Sequence, residues 1–515
     1  MRRAPWLSVA LTVAVASMLS SCGTGLRKQQ AQQLAEADAL FTRGCYSCLT
    51  KAFDAYEALR LAGYQPAEAA ARAYDAAILL AAREKELAMP AEPWIERARG
   101  LAPRDPQRAL YVEIVSALPW AHGRHDSDFT HAGRLAIGPE LDALDRWEAA
   151  LGPAAARPVT GAYLMAAARC AFFPARLHET LTFDALASAH ANAPLMQYAA
   201  GICRPELRSH LDGLASDPDF HELLFQQARL QLFQGGATVQ LGARVLLEAA
   251  REAMPALVAN TYLLAGVLNT LEDYVPCAAM YAEVIAKGGA RRQSLLNRTM
   301  CLTNAGKSED AIASATELID TPGILKGEGY YWRAANRYTL KALADARADV
   351  EAAKPLYDDA AVFALSGFIA YDMGQKDYAY TEFDEAFQRN RTYCTAPFYQ
   401  GLMDAEKERW EPAATKYEVA TGCYETSVRR LAFSLEQAEA RDASDTTRER
   451  RIASLTRALD GERLQVAHAA YNVAYANGRL GRAGAAIPFA EKAAAAHKNM
   501  ETLATELLAV LRKAG

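Results

Sequence analysis

The sequence predicts an all-α fold built as a solenoid of antiparallel helical hairpins, and three observations predict it. A small residue opening a small-x3-large-x2-small pattern falls at Cys277, Ala311, Ala346, Ala379 and Ala413, in steps of 34, 35, 33 and 34 residues. A fixed period in this range marks a stacked array, in which each unit buries its apolar face only against its neighbours. Leu and Ala abound and long strand-like alternations are absent, so helix is the default throughout. At 515 residues, 51% hydrophobic and 23% charged, the chain has globular composition and is long enough for several domains or one extended array.

The first 21 residues read as an export signal rather than as fold. Arg2-Arg3 is a short cationic region, and Trp6 to Leu19 is an apolar stretch too short to span a bilayer comfortably. It ends in Leu19-Ser20-Ser21-Cys22, which resembles the bacterial lipobox. That resemblance implies cleavage before Cys22 and a diacylglycerol on its sulfur. Two or more acyl chains there would give stable anchoring, where one is marginal. Gly23 stands where the inner-membrane retention signal would have Asp, so the resemblance points to the outer membrane, on its periplasmic face. The expected partners are therefore the membrane, through this lipid, and an envelope protein or peptide. A net charge of −5 argues against a general nucleic-acid binder, which needs a basic face.

Residues 22–103 follow as a tether and two hairpins. Residues 23–30 read as a polar tether. The first hairpin runs from Gln30 to Leu61 with its turn at Gly44, and the second has a long helix from Pro66 to about Leu87 broken by Met89-Pro90. Residues 104–158 depart from the pattern as an irregular, loop-rich insertion. One helix is expected from Pro106 to about Leu118, then a loop from Pro119 to His131. That loop holds His122, His125 and His131 beside Asp126, which have metal-ligand chemistry but fit no metal spacing. It reads as a connecting loop or as a partner-contacting one anchored by Trp120 and Phe129. Residues 159–256 are degenerate helical repeats, with candidate helices at 159–172, 175–191, 193–203, 204–214, 220–233 and 238–253.

The array occupies residues 257–425. Its larger residues, four on from the small ones, are Tyr281, Ala315, Val350, Phe383 and Tyr417. Three further on come Val284, Leu318, Ala353, Ala386 and Ala420. Small residues let paired helices approach and aromatics fill the gaps between hairpins. The stretch resembles tetratricopeptide repeats (TPR), with Leu264-Ala265, Tyr331, Ala334-Ala335, Gly367 and Gly401 in the first helices. The resemblance implies a right-handed superhelix. Residues 426–515 continue it, with a longer unit from Ser427 to Leu459 and a charged turn at 441–451. A well-matched repeat follows through Ala470, Ala474, Gly481, Ala486, Ala490 and Ala493, and a terminal helix from Met500 to Arg512 suits a polar-faced cap.

In TPR arrays the first helices line the concave face. By that resemblance a groove would be lined by Tyr262, Leu296, Trp332, Phe398 and Tyr471, with Asn336 as a polar neighbour. An aromatic groove with amides suits an extended peptide or a helix laid in it. Packing between hairpins is the competing role for the same rings.

Nine cysteines less Cys22 leaves an even number for an oxidising compartment. Cys394 opens one hairpin and Cys423 closes it, so a disulfide is expected there. Cys170 with Cys203, and Cys277 with Cys301, join neighbouring helices as bridges or as buried thiols. Cys45-Tyr46-Ser47-Cys48 is followed by Leu49, not the His of a haem-attachment motif. It reads as a structural bridge or as unpaired cysteines. No nucleophile elbow, zinc helix or phosphate loop stands in a fitting context, so no enzyme activity, metal site or cofactor is expected. The function expected is a lipid-anchored scaffold or adaptor for protein–protein interactions in the bacterial envelope. The alternative is a ligand-binding accessory of a transport system, similar to the T-component of some TRAP transporters. A redox or metal enzyme stands behind both.

Overall fold

The computed structural model describes residues 6–87, 89–101, 105–118, 137–153, 156–172, 188–190, 192–203, 209–234, 237–440 and 448–514. Among these residues there are 24 helices and no strand. They form two compact units. An N-terminal unit holds residues 1–234, 242–267 and 286–290, and a C-terminal unit holds 235–241, 268–285 and 291–515.

The N-terminal unit begins with α1 (Trp6–Arg43), α2 (Tyr46–Leu61), α3 (Pro66–Glu86), α4 (Glu92–Leu101) and α5 (Pro106–Ala117). The polar tether expected at 23–30 is instead part of α1. Leu26 to Gln33 is a run of helix-forming Leu, Arg, Lys, Gln and Ala with no proline, so nothing stops the helix before Gly44. Gly44 turns with φ +71°, and a Cβ there would meet Leu195 at 3.0 Å. Pro66 and Pro106 start α3 and α5, where a missing N–H costs nothing. Asp105 caps α5 by accepting from Gln107 N–H at 2.9 Å. α3 is buried on nearly every side from Ala73 to Lys85 and centres a core with Phe53, Tyr56, Tyr111 and Trp147.

The span 104–158 is less irregular than expected. Besides α5 it holds α6 (Ile137–Leu151), whose Leu144, Trp147 and Leu151 are buried. Their helical spacing was present in the sequence. The His122–His131 loop lies outside the described residues, as does much of the helix expected at 175–191. The unit continues through α7 (Val159–Phe172), α8 (Pro194–Cys203), α9 (Ser209–Leu214) and α10 (Glu222–Gln234). α11 (Ala237–Ala253) and α12 (Val258–Thr270) each contribute residues to both units.

The C-terminal unit is a TPR-like stack of antiparallel hairpins. It contains α13 (Tyr274–Ala286), α14 (Arg291–Asn304), α15 (Ser308–Asp320), α16 (Lys326–Thr339), α17 (Leu343–Ala353), α18 (Ala360–Asp372), α19 (Lys376–Arg389) and α20 (Thr395–Glu406). The small residues that set the period, Cys277, Ala311, Ala346, Ala379 and Ala413, are all 0% exposed. Twelve residues before each comes another small or slender one, at Ala265, Thr299, Ala334, Gly367 and Gly401, and all are buried. The turn inside each hairpin also repeats. Residues 272, 306, 341, 374, 408 and 481 all have φ between 56° and 76°, three as Gly and three as Glu272, Lys341 and Glu408.

After α20 the pattern changes. α21 (Trp410–Glu439) and α22 (Arg448–Arg479) are 30 and 32 residues long. Each fuses the second helix of one hairpin to the first helix of the next. The separate unit expected from Ser427 to Leu459 is therefore made of the far halves of two long helices. Three earlier junctions carry Gly288-Gly289, Pro322-Gly323 and Pro355, and the fourth turns at Asn390, whose side chain accepts from Thr392 N–H at 2.9 Å, whereas Tyr424-Glu425-Thr426 has no such breaker. α23 (Ala483–Ala496) and α24 (Lys498–Ala514) close the array, with Ala486, Ala490 and Ala493 fully buried.

Candidate functional site

A stripe of half-exposed side chains runs along the first helices of the C-terminal unit, and aromatic residues dominate it. Counting back 15 residues from the small anchor residues Ala311, Ala346, Ala379, Ala413 and Ala486 gives Leu296, Tyr331, Ala364, Phe398 and Tyr471, of which the three rings are half-exposed and Leu296 and Ala364 are buried. One and four residues further on, the same helix face carries Trp332 and Ala335, then Phe368, then Tyr399 and Leu402, then Asn472 and Tyr475. Tyr338 and Tyr371 lie one turn beyond.

The expected groove residues divide between two roles. Trp332, Phe398 and Tyr471 are half-buried on this stripe. Trp332 lies one residue past the position shared by the others, which Tyr331 holds, 35 residues after Leu296. Leu296 is buried against Leu295, Leu318 and Leu325. Asn336 is 1% exposed and donates to Thr303 Oγ1 and the Trp332 carbonyl at 2.8 Å each. Leu296 and Asn336 are packing residues and line no open surface. Tyr262 is half-buried in the N-terminal unit.

The sequence reading missed much of the aromatic network. Tyr399 meets Phe368 at 5.1 Å, Tyr371 at 5.2 Å and Phe383 at 5.3 Å between ring centroids. Phe398 packs edge-on against Tyr417 at 5.6 Å. A polar ladder accompanies the rings: Tyr338 donates to Asp372 Oδ2 and Tyr371 to Glu406 Oε1, both at 3.0 Å. The two acceptors sit 34 and 35 residues after their donors, so one hairpin braces the next. Burial and then the Glu406 hydrogen bond push the Tyr371 hydroxyl up to about 12. Lengthening the positional rule by a turn in each first helix would have found both sets.

The N-terminal unit holds a buried ionic cluster. Arg83, 0% exposed, donates to Glu222 at 2.7 Å and lies 3.4 Å from Glu86, with its guanidinium 3.7 Å over the Tyr198 ring. Glu86 also accepts from Tyr163 at 3.0 Å and from Gln226 at 2.6 Å. Burial opposes the Arg83 charge, but the surrounding tyrosines and the two carboxylates hold it firmly protonated. The cluster ties α3, α7, α8 and α10 together, with one guanidinium set against two carboxylates.

Two of the three disulfides among the described residues staple successive elements. Cys394–Cys423 closes a hairpin with Cα atoms 5.4 Å apart, as expected. Cys277–Cys301 joins α13 to α14 at 6.1 Å. Cys45–Cys48 bridges the first turn of α2 at 5.0 Å, where Cys45 is the N-cap residue. The side chains of Cys22, Cys170 and Cys203 lie outside the described residues. Among the described residues no group of three or more His, Cys, Asp or Glu is placed to hold a metal ion. No helix among them is long and apolar enough to cross a membrane.

No protein-family model matches the chain, and no curated protein matches it. Solved structures of low similarity do. A tetratricopeptide repeat protein from Parabacteroides merdae is 14% identical, with a TM-score of 0.35 over 57% of this chain and 98% of that one. The crystal structure of MamA is 18% identical, with a TM-score of 0.30 over 32% of this chain and 97% of that one. The Cut9–Hcn1 hetero-tetramer of the APC/C is 12% identical, with a TM-score of 0.29 over 88% of this chain and 94% of the matched one.

Proposed function

We propose that this protein is a scaffold of the bacterial envelope, anchored by lipid on Cys22, that binds a polypeptide along the first helices of its C-terminal unit. The observation that carries the reading is the aromatic stripe. Rings held half-exposed by packing beneath them offer large contact area at small entropic cost, which is what binding anchors need. Tyr475 is 40% exposed and rests on Trp410 at 5.8 Å, so a partner can bury it without disturbing the core. The lipobox resemblance at Leu19–Cys22 supports the anchor and the address.

Affinity capture from envelope extract with the soluble domain tests the scaffold. A polypeptide retained by the native chain and lost from Trp332→Ala and Tyr475→Ala, both still folded by circular dichroism, is the expected result. No retained polypeptide, together with a melting temperature raised by a small molecule, would replace the scaffold with a ligand-binding accessory. Radiolabelled palmitate tests the anchor separately. It should enter the native chain and not Cys22→Ser.

A further inference from the structure

α24 packs one face onto the hairpin before it. Its Met500, Ala504, Leu508 and Leu511 are buried. Leu508 and Leu511 meet Ala474, Ala486 and Ala490, and Ala504 meets Ala470 and Ala493. His497 fixes where the helix starts, its Nδ1 accepting from Asn499 N–H at 3.1 Å. At the far end Arg512 donates to Glu491 on α23 at 2.8 Å. The helix is thus held at both ends as well as along its length, and its outer side is a fixed surface.

That surface is apolar where a solenoid cap is ordinarily polar. Leu503 is 49% exposed and Val510 63%, and half-buried Leu507 lies between them. Spacings of four and three residues set these side chains in one stripe along the helix. Among the described residues no other helix exposes two large apolar side chains within two turns of each other. The polar-faced cap expected over 500–512 therefore carries an apolar seam down its outer side. Single exposed apolar residues are ordinary, whereas a seam rimmed by charge marks a contact. One flank of the seam carries Glu506 and Lys513, seven residues apart and so on one line; both are exposed, and among the described residues neither is in a salt bridge.

We propose that α24 is a self-association surface, on which a second copy of this chain lays its own α24 antiparallel. A two-fold contact puts the same patch on both sides, so the patch must complement itself. This one does. With Leu507 of each copy across from Val510 of the other, Leu503 covers the last turn of the opposite helix. Glu506 then lies about 3 Å along the axis from Lys513 of the other copy, and the two-fold makes that pair twice. A second copy is favoured over a different protein because acid and base stand on one flank in this order, which an antiparallel copy matches at both places. The seam is one helix long, so the dimer is of the small, concentration-dependent kind. The contact is independent of the scaffold reading, since it uses no residue of the aromatic stripe and no lipid.

The test is sedimentation velocity of the full soluble chain over about a hundredfold range of concentration. The native chain should pass from monomer to dimer as concentration rises. Leu503→Glu and Val510→Glu, both at exposed positions and checked for folding by their melting curves, should each weaken the dimer by about tenfold or more. Glu506→Lys and Lys513→Glu should each weaken it by about fivefold, because each sets like charges together. An equal mixture of these two variants should recover the native affinity as a mixed dimer. Glu436→Lys, at an exposed position on α21, controls for net charge and should change nothing. A native chain that stays monomeric throughout would overturn the proposal. So would a dimer that survives Val510→Glu unweakened, or an equal loss in Glu436→Lys. A mixture no tighter than its two parents would overturn the antiparallel pairing.

Discussion

At the scale of single residues, packing in the array follows a size rule. In the two hairpins whose second helix offers Phe383 or Tyr417, the first helix offers glycine, whereas the hairpin of Tyr281 has Ala265 at that position. Gly367 faces Phe383, and Gly401 faces Tyr417, so that an added Cβ would sit 2.7 Å or 2.9 Å from ring carbons. Where the second helix offers Ala315 or Val350, the first offers Thr299 or Ala334. Gly367→Ala should therefore cost about 1–3 kcal/mol in urea unfolding, the usual penalty for overpacking, and Phe383→Leu in the same chain should recover part of it. The left-handed turn residues give the opposite prediction. Glu408 holds φ 56° where other hairpins use glycine, so Glu408→Gly should raise stability by about 0.5–1 kcal/mol. A third prediction concerns pH. Hydrogen bonds from Arg43 hold the Asp217 carboxyl below its usual range. An acid whose folded pKa is depressed adds stability above its unfolded pKa, near 3.8, and loses it as pH falls toward the folded value. Acid unfolding followed by circular dichroism should show that loss below about pH 4, and Asp217→Asn should remove it.

At the scale of elements, the sequence revealed what repeats and concealed what continues. The small anchor residues were legible because one packing requirement recurs at every hairpin, at a spacing that chance does not reproduce. Helix ends were legible where Pro or Gly marks them, as at Pro66 and Gly374. The continuity of α1, α21 and α22 was not, because a helix that fails to stop leaves no positive sign. The candidate surface was half-legible for a related reason. Position along a helix separates stripe from core only if the register is right, and a register slip of one residue put Trp332 in the place of Tyr331. Leu296 shares that position but is buried, since neighbours outside its own helix decide its burial. Cys394–Cys423 offers an element-level test. It ties the start of α20 to α21 across a separation of 29 residues. Replacing both cysteines by Ala should lower the stability of the C-terminal unit by about 2–4 kcal/mol in chemical denaturation.

At the scale of the whole molecule, two units of different logic share one chain. The N-terminal unit is held by a deep core around α3 and by the Arg83–Glu222 pair, which span sequence separations above a hundred residues. Such contacts leave no period to read, and this is why that half was the less legible. The C-terminal unit is held between successive helices and successive hairpins, and the repeating part of its fold could be written down from the sequence. A stack of this kind ordinarily behaves as a row of links in which each is coupled only to its nearest neighbours.

The fused helices α21 and α22 make the end of that row behave like a crankshaft. A turn between hairpins absorbs an inserted residue, whereas a continuous helix transmits it. One residue added within α21 advances everything beyond by about 1.5 Å and rotates it by about 100°. An alanine inserted after Gly422 should therefore displace the buried faces of α22 and α23 together and abolish cooperative unfolding of the C-terminal hairpins. The same insertion after Pro322, in the turn between α15 and α16, should shift the melting temperature only slightly. Equal effects at the two places would show that phase is not carried through α21. If it is carried, the last hairpins turn as one piece, and the angle of Tyr471 and Tyr475 to the rest of the stripe is geared to the length of a single helix.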